Sequence, residues 1–214
     1  MGADHYEALC SQWRQRFLNM DQARLTALLP ELCREGNALT LRLYGRKLRV
    51  DADSGEITAP EDSLPVTRTE KLTVYTLFAY VRPGARFRGE WVSFDRLRDT
   101  AVFAPAFRQG VLQSFAAAFS GRTGALEAAC RALHGTPLPF GDVGYEIDSF
   151  QCIPVRFLFW QGEDEIPASA NLLFDVSATD FIHPESIVTI ASLGVSRLVQ
   201  AADAGLPPGA FGND

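Results

Sequence analysis

The chain has 214 residues, a net charge of −6 and a sequence pI near 5.1. That length fits one domain, because a single core of this size can bury about 70% of the unfolded surface. The acidic balance argues against a nucleic-acid binder, which needs clustered Lys and Arg to displace counterions from phosphates.

Apolar residues make up 47% and charged residues 21%, the balance of a soluble globular protein. Fifteen phenylalanines point to a thick aromatic core or to an apolar surface that meets a partner. The polar start Met1-Gly2-Ala3-Asp4-His5 lacks a signal-peptide pattern, and His5 and Tyr6 replace the residues a myristoylation signal needs. No apolar run approaches the roughly 20 residues needed to span a bilayer. The expected location is the cytoplasm, with no membrane partner. Cys10, Cys33, Cys130 and Cys152 form no CxxC pair. Reduced thiols are expected, with no zinc or iron–sulfur signature.

In chain order, Asp4 can cap a first helix with Tyr6, Leu9, Cys10, Trp13 and Phe17 on one face. Asp21 can cap a second helix through Leu25, Leu28 and Leu29. Pro30 interrupts it, and Gly36 ends the segment. Residues 39–50 read as a hairpin turning at Gly45-Arg46, with Leu43 opposite Leu48 and Leu41 opposite Val50. A turn at Asp53-Ser54-Gly55 leads to a short strand near Ile57. Residues 59–69 are irregular. Residues 71–81 fit helix or strand, and the face formed by Leu72, Tyr75, Phe78 and Ala79 favours helix. Arg82-Pro83-Gly84 stops it.

The densest basic region, Arg82 to Arg98, holds five arginines among acids and apolar residues, and it reads as a solvated edge. Trp91-Val92 is a short extended piece, followed by a helical turn capped by Ser93. Two helices follow. One runs over about 106–119 with Phe107, Val111, Phe115 and Phe119 four apart. The other opens near Thr123 and stops at Gly135.

Strands at 143–149, 153–160 and 168–175 form an antiparallel meander. Pro184 then opens a last helix burying Ile187, Ile190, Ala191, Gly194 and Leu198. Val188, Leu193 and Val199 widen its apolar surface enough for a homodimer contact. The expected class is α+β: antiparallel hairpins and a three-stranded C-terminal meander packed with about six helices. It forms a single domain over 1–205, with a flexible tail at 206–214.

Glu90-Trp91-Val92-Ser93-Phe94, Phe159-Trp160, Asp164-Glu165-Ile166-Pro167-Ala168, Leu172-Leu173-Phe174-Asp175 and Pro184-Glu185 together resemble domain of unknown function 3786 over nearly the whole chain. That family is found mainly in anaerobic bacteria and archaea and has no established activity. Some members join the domain to a four-cysteine iron–sulfur module, and this chain has no such cluster. The resemblance implies a shared fold and an anaerobe-type source. It supplies no mechanism.

Two sets of residues carry the site expectations. Trp91, Trp160 and Asp164 are candidates for contact with an unidentified protein or small ligand. Asp164 sits in the recurring motif, where it can form an Asx turn. The run Glu163-Asp164-Glu165 reads as a solvated loop tip. One sheet edge should gather Asp148, Cys152 and Asp175, with His183 and Glu185 close behind, and such a set can bind a transition metal. The structural alternative for each is plain: Asp175 as a turn cap, Glu185 at a helix N-terminus, Cys152 as a buried thiol. Asp51 to Glu56 fails as a calcium loop, because its glycine is one position early and the closing glutamate is missing. No organic cofactor motif appears. The expected function is a non-enzymatic cytoplasmic binding or accessory protein of an anaerobe. The alternative is a metal-binding or metal-dependent protein using Asp148, Asp175 and His183.

Overall fold

The computed structural model describes residues 3–62 and 64–204. The side chains of residues 3–7, His5 and Tyr6 among them, and the expected tail at 206–214 lie outside the described part. Seven helices and two antiparallel sheets make up the described residues, in an α+β arrangement.

The first sheet is β1 (Cys33–Glu35), β2 (Ala38–Leu43), β3 (Arg46–Asp51) and β4 (Ile57–Thr58), in that order. Helices α1 (Ala3–Leu18) and α2 (Gln22–Leu28) precede it, and α3 (Arg68–Tyr80) follows. Helix α1 contains Asp4 instead of starting after it. The Asp21 side chain caps α2 by accepting the Arg24 N–H, as expected. The stretch before Gly36 is strand β1, which sequence reading missed: Gly36-Asn37 turns it back onto β2.

The β2–β3 hairpin pairs Leu41 with Leu48 and Leu43 with Arg46. Its turn is therefore Tyr44-Gly45, with φ of 50° and 76°, one position before the expected turn. Positive φ at both residues is the type I′ geometry that matches strand twist. The register moves by two residues, so every side chain keeps its face. Leu41, Leu43, Leu48 and Val50 are all buried, as expected. Tertiary contact selects this turn. It drives Tyr44 into the core, where its ring lies edge-on to Phe157 and its hydroxyl donates to the Ile190 carbonyl at 2.8 Å.

Helix α3 begins with a capping box between Thr67 and Glu70. Its buried face carries Glu70, Thr73, Val74, Tyr75, Leu77 and Phe78; of the expected residues Tyr75 and Phe78 are buried, Leu72 is half-buried and Ala79 is exposed. The expected face is thus rotated, because α3 packs on both α1 and the last helix.

The second sheet has the order β5 (Trp91–Ser93), β9 (Ser169–Asp175), β8 (Ile153–Trp160), β7 (Val143–Phe150), β6 (Thr136–Pro137). The C-terminal meander is as expected. The pairing of β5 with β9, which sets Trp91 opposite Asp175, joins segments far apart in sequence. Between β5 and β6, residues 104–119 run as one helix, α4, with a π-helical stretch at Arg108–Leu112. Phe107, Val111, Phe115 and Phe119 are all buried along it.

Helix α5 (Thr123–Ala132) ends in a Schellman motif. The left-handed residue is His134 (φ 57°), not Gly135, and the Gly135 N–H donates to the Cys130 carbonyl at 2.8 Å. Gly135 is needed for space: a Cβ there would lie 2.9 Å from that carbonyl oxygen.

Helices α6 (Ala178–Phe181) and α7 (Pro184–Ala204) close the chain. Contrary to the sequence expectation, α7 is long and apolar enough, by length and composition, to cross a membrane. Its Ile187, Ile190, Ala191 and Leu198 are fully buried within the chain, and Val188, Leu193 and Val199 pack against the same core. One hydrophobic cluster reaches from Phe17 to Ala201 and takes in residues of both sheets.

Candidate functional site

Strand β1 pairs with β2 only as far as Thr40, and β6 pairs with β7 only as far as Glu146. Beyond those points the outer edges of β2 and β7 face each other. They meet where the Tyr44 N–H donates to the Ser149 carbonyl at 2.8 Å. Between them opens a cleft of about 670 Å³, lined by Glu31, Leu41, Arg42, Leu133, His134, Glu146, Asp148 and Gln151, among others. This is the size of a small-molecule site.

Glu31 reaches the cleft because Pro30 ends α2 and the buried Leu29 and Leu32 pin the chain on either side. One carboxylate oxygen, Oε2, accepts the Cys152 N–H at 2.7 Å. The other, Oε1, is fully buried and accepts no hydrogen bond. Burial pushes the Glu31 carboxyl above its ordinary pKa, and the contacts with Cys152 only partly oppose this. Asp148, on β7, also lines the cleft and stays exposed to solvent. Partial desolvation raises its pKa, and the charge of Glu146 adds to the effect. Neither acid has an ion-pair partner among the described residues. Arg42 and Lys47 also line the cleft, paired with Glu61 and Glu35, and Arg156 pairs with the cleft residue Glu146.

Burial holds the Cys152 thiol well above its ordinary pKa, with Glu31 adding to the shift. A thiol so protonated is a poor nucleophile. The cleft itself offers carboxyl groups and other hydrogen-bond acceptors. No disulfide joins the described cysteines.

The expected metal set is not brought together. Asp148 lines the cleft, and Cys152 lies behind it, its N–H held by Glu31. Asp175, only 2% exposed, is a structural clamp instead. Its Oδ1 accepts the N–H groups of Arg88 (3.2 Å) and Ser177 (3.0 Å) and the Ser177 hydroxyl, and its Oδ2 accepts the Glu90 N–H (2.9 Å). Burial works to raise its pKa, but these hydrogen bonds outweigh burial and hold it below the ordinary value. His183 caps α7, its Nδ1 accepting the Glu185 N–H at 3.2 Å, with its ring 5.0 Å from Tyr80. Among the described residues no group of three or more His, Cys, Asp or Glu is placed to hold a metal ion. Replacing Asp175 by alanine is expected to cost about 2–3 kcal/mol, because it removes the acceptor of the buried Ser177 N–H and hydroxyl and of the Arg88 and Glu90 N–H groups. Urea unfolding of the variant measures this.

The other candidates are also placed. Trp91 lies under the Arg156 guanidinium, 3.8 Å from its ring centroid, with Phe87 edge-on. Trp160 is partly exposed at the end of β8. Asp164 sits at the tip of an exposed turn closed by the Ile166 N–H on the Glu163 carbonyl at 2.8 Å. It takes φ of 44°, which Asp tolerates, and no Asx bond from its side chain appears among the described residues. Glu163, Asp164 and Glu165 are solvent-exposed, as read. The full length of β9 lies between them and Asp175.

Two networks escaped sequence reading. Arg82, Arg88 and Arg98, read as a solvated edge, converge on Asp180. Glu70 receives both Arg46 and Arg197 in the core. The only sequence signal for Glu31 was a charged residue set between two core leucines.

Fold and cleft together define an α+β domain of two antiparallel sheets with an acidic cleft where their edges meet. The chain belongs to the family described as domain of unknown function (DUF3786), whose model matches residues 25–197. No curated protein and no solved structure matches it.

Proposed function

We propose that the chain is a non-enzymatic binding or accessory protein that holds a small polar ligand in the inter-sheet cleft, in the cytoplasm of an anaerobe. The observation that carries this reading is the cleft of about 670 Å³, which is of ligand size and is lined by polar side chains that include Glu31, Glu146 and Asp148. Sequence reading favoured an aromatic surface. Trp91 already stacks with Arg156 and Phe87, and the exposed Phe140, Trp160 and Ile166 line no comparably enclosed space, so the cleft has the stronger support. The four thiols agree with a reducing compartment.

Amide chemical-shift mapping of the intact chain tests this. Acetate, acetamide and 1,4-diaminobutane are added separately at millimolar concentration. At least one should move the amides of Glu31, Leu41, Leu133 and Gln151. Shifts confined to Phe140, Trp160 and Ile166 would transfer the site to that end of the sheet.

The raised Glu31 pKa also makes a stability prediction. A carboxyl raised on folding favours the native state at low pH. That contribution is present below the ordinary glutamate value and lost as pH rises through the folded value. Glu31→Gln keeps an acceptor for Cys152 but cannot ionise. Its stability relative to wild type should therefore rise with pH across that window, as read from urea midpoints at matched pH.

A further inference from the structure

We propose that the chain forms a two-fold symmetric homodimer, the open half of β9 pairing antiparallel with the same strand of a second copy. This surface is separate from the cleft and from the apolar side of α7. Strand β5 pairs with β9 only over residues 173–175, so on that side residues 169–172 meet no strand among the described residues. The Val176 N–H points outward to the Glu90 carbonyl at 2.8 Å. Backbone direction alternates along a strand, so Leu172 and Ala170 point the same way. The other side of the ladder agrees. The Asp142 N–H donates to the Phe159 carbonyl at 2.9 Å, so Phe159 bonds toward β7 and leaves its opposite residue, Ala170, facing out. The Leu172 N–H is taken by the neighbouring Asn171 Oδ1 at 2.9 Å. The outward N–H and carbonyl of Ala170 have no such partner among the described residues.

An open strand edge invites pairing, and folds that stay single block it with short strands, charges, proline or bulges. The other outer strands follow that rule: β1 and β5 have three residues, β4 and β6 have two, and β6 ends in Pro137. The open half of β9, Ser169-Ala170-Asn171-Leu172, carries no charge and no proline and keeps a regular register with β8. Beside it α4 leaves a groove of about 590 Å³, walled by Leu112, Ala116, Ala117 and Ala170, so a second backbone can come close.

The charges select a second copy as the occupant. Arg108 is the only charged side chain among the described residues lining the groove, and it has no ion pair among them. Its charge reaches Asp95, which already accepts the Ser93 hydroxyl at 2.6 Å. Arg108 belongs to the Asn171 end of the open strand, where it lines a hollow with Ser93 and Asn171. The opposite end leads through Pro167 and Ile166 to the exposed acids Glu163, Asp164 and Glu165. Two-fold pairing about Ala170 sets each end against the opposite end of the other copy. Each acid run then approaches the other copy's Arg108, and Ile166, 71% exposed, comes over its Leu112. Each Ala170 N–H donates to the other Ala170 carbonyl, and the two five-stranded sheets become continuous.

Sedimentation equilibrium of the full chain from low to high micromolar concentration tests this. The expected mass is twice 23.5 kDa. Ala170→Pro should give a monomer, because proline removes the outward N–H and its ring fills the edge, while no bond to β8 is lost. Unchanged circular dichroism confirms that the variant is folded. Arg108→Glu and Glu165→Lys should each weaken the dimer by about tenfold or more, since like charges then face each other. The double variant should restore it, a rescue that loss of fold cannot produce. A wild-type monomer throughout that range overturns the proposal. So does a dimer that survives Ala170→Pro, which would use another face, and so does a double variant that pairs no better than either single one. Amide exchange supplies one more outcome. A monomer whose Ala170 N–H is protected would mean that another part of the same chain covers the edge, and that too overturns the proposal.

Discussion

Glu70→Ala is expected to destabilise the protein by about 3–5 kcal/mol, the usual cost of removing one partner of a buried ion pair. Glu70 is 1% exposed and Arg46 is 4% exposed. The Arg46 Nη1 donates to both Glu70 oxygens at 2.8 and 2.9 Å, and Arg197 from α7 donates to the same carboxylate. Glu70 also accepts the Thr67 N–H at 2.8 Å, closing the capping box of α3. One carboxylate therefore ties β3, α3 and α7 together. Its removal leaves Arg46 with Asp62 and the Leu64 carbonyl, and it takes away the carboxylate half of the capping box. Burial pushes the Glu70 pKa up, but the bonds from Thr67 and Arg46 and the charge of Arg197 prevail and hold it below the ordinary value. Its stabilisation is thus present at neutral pH and lost as pH falls below the ordinary glutamate value and through the folded one. Urea unfolding at neutral pH measures the loss. A change under about 1 kcal/mol would mean that water replaces the carboxylate in that core.

Gly194→Ala is the second large effect, and here sequence and structure predict opposite signs. In an isolated helix alanine is favoured over glycine by about 1 kcal/mol, so α7 should gain stability. In the fold, a Cβ at Gly194 would lie 2.5 Å from the Tyr44 hydroxyl oxygen and 2.6 Å from the tip of the Phe157 ring. Both neighbours are fully buried and cannot swing away. Overpacking of this kind costs about 1–3 kcal/mol, and Tyr44 can retreat only by losing its bond to the Ile190 carbonyl. A net loss of about 2 kcal/mol is expected, seen as a lower urea midpoint. A variant more stable than wild type would show that the Tyr44 turn is not held against α7.

Tyr44 also marks the limit of what was legible in the sequence. The hairpin and its buried face could be read, because alternation is local and survives a register shift of two residues. The turn itself could not, because the pull on Tyr44 comes from α7, 146 residues away. The metal set failed for a related reason. Strand ends were placed correctly along the meander, but the 85–90 segment that occupies Asp175 pairs across a long loop. No periodicity encodes that pairing.

By itself the sequence determined the α+β class, most helical spans, the C-terminal meander and the family. Each depends on short-range period, capping or spacing, which a single chain displays directly. Only the tertiary structure decided which charges are neutralised. It gave Glu70 two arginines, Asp180 three and Asp175 a ring of backbone donors, and among the described residues it left Glu31 and Asp148 without an ion-pair partner. Desolvation and pairing depend on which elements come together in space, so identical carboxyl groups acquire different roles only once the sheets are packed.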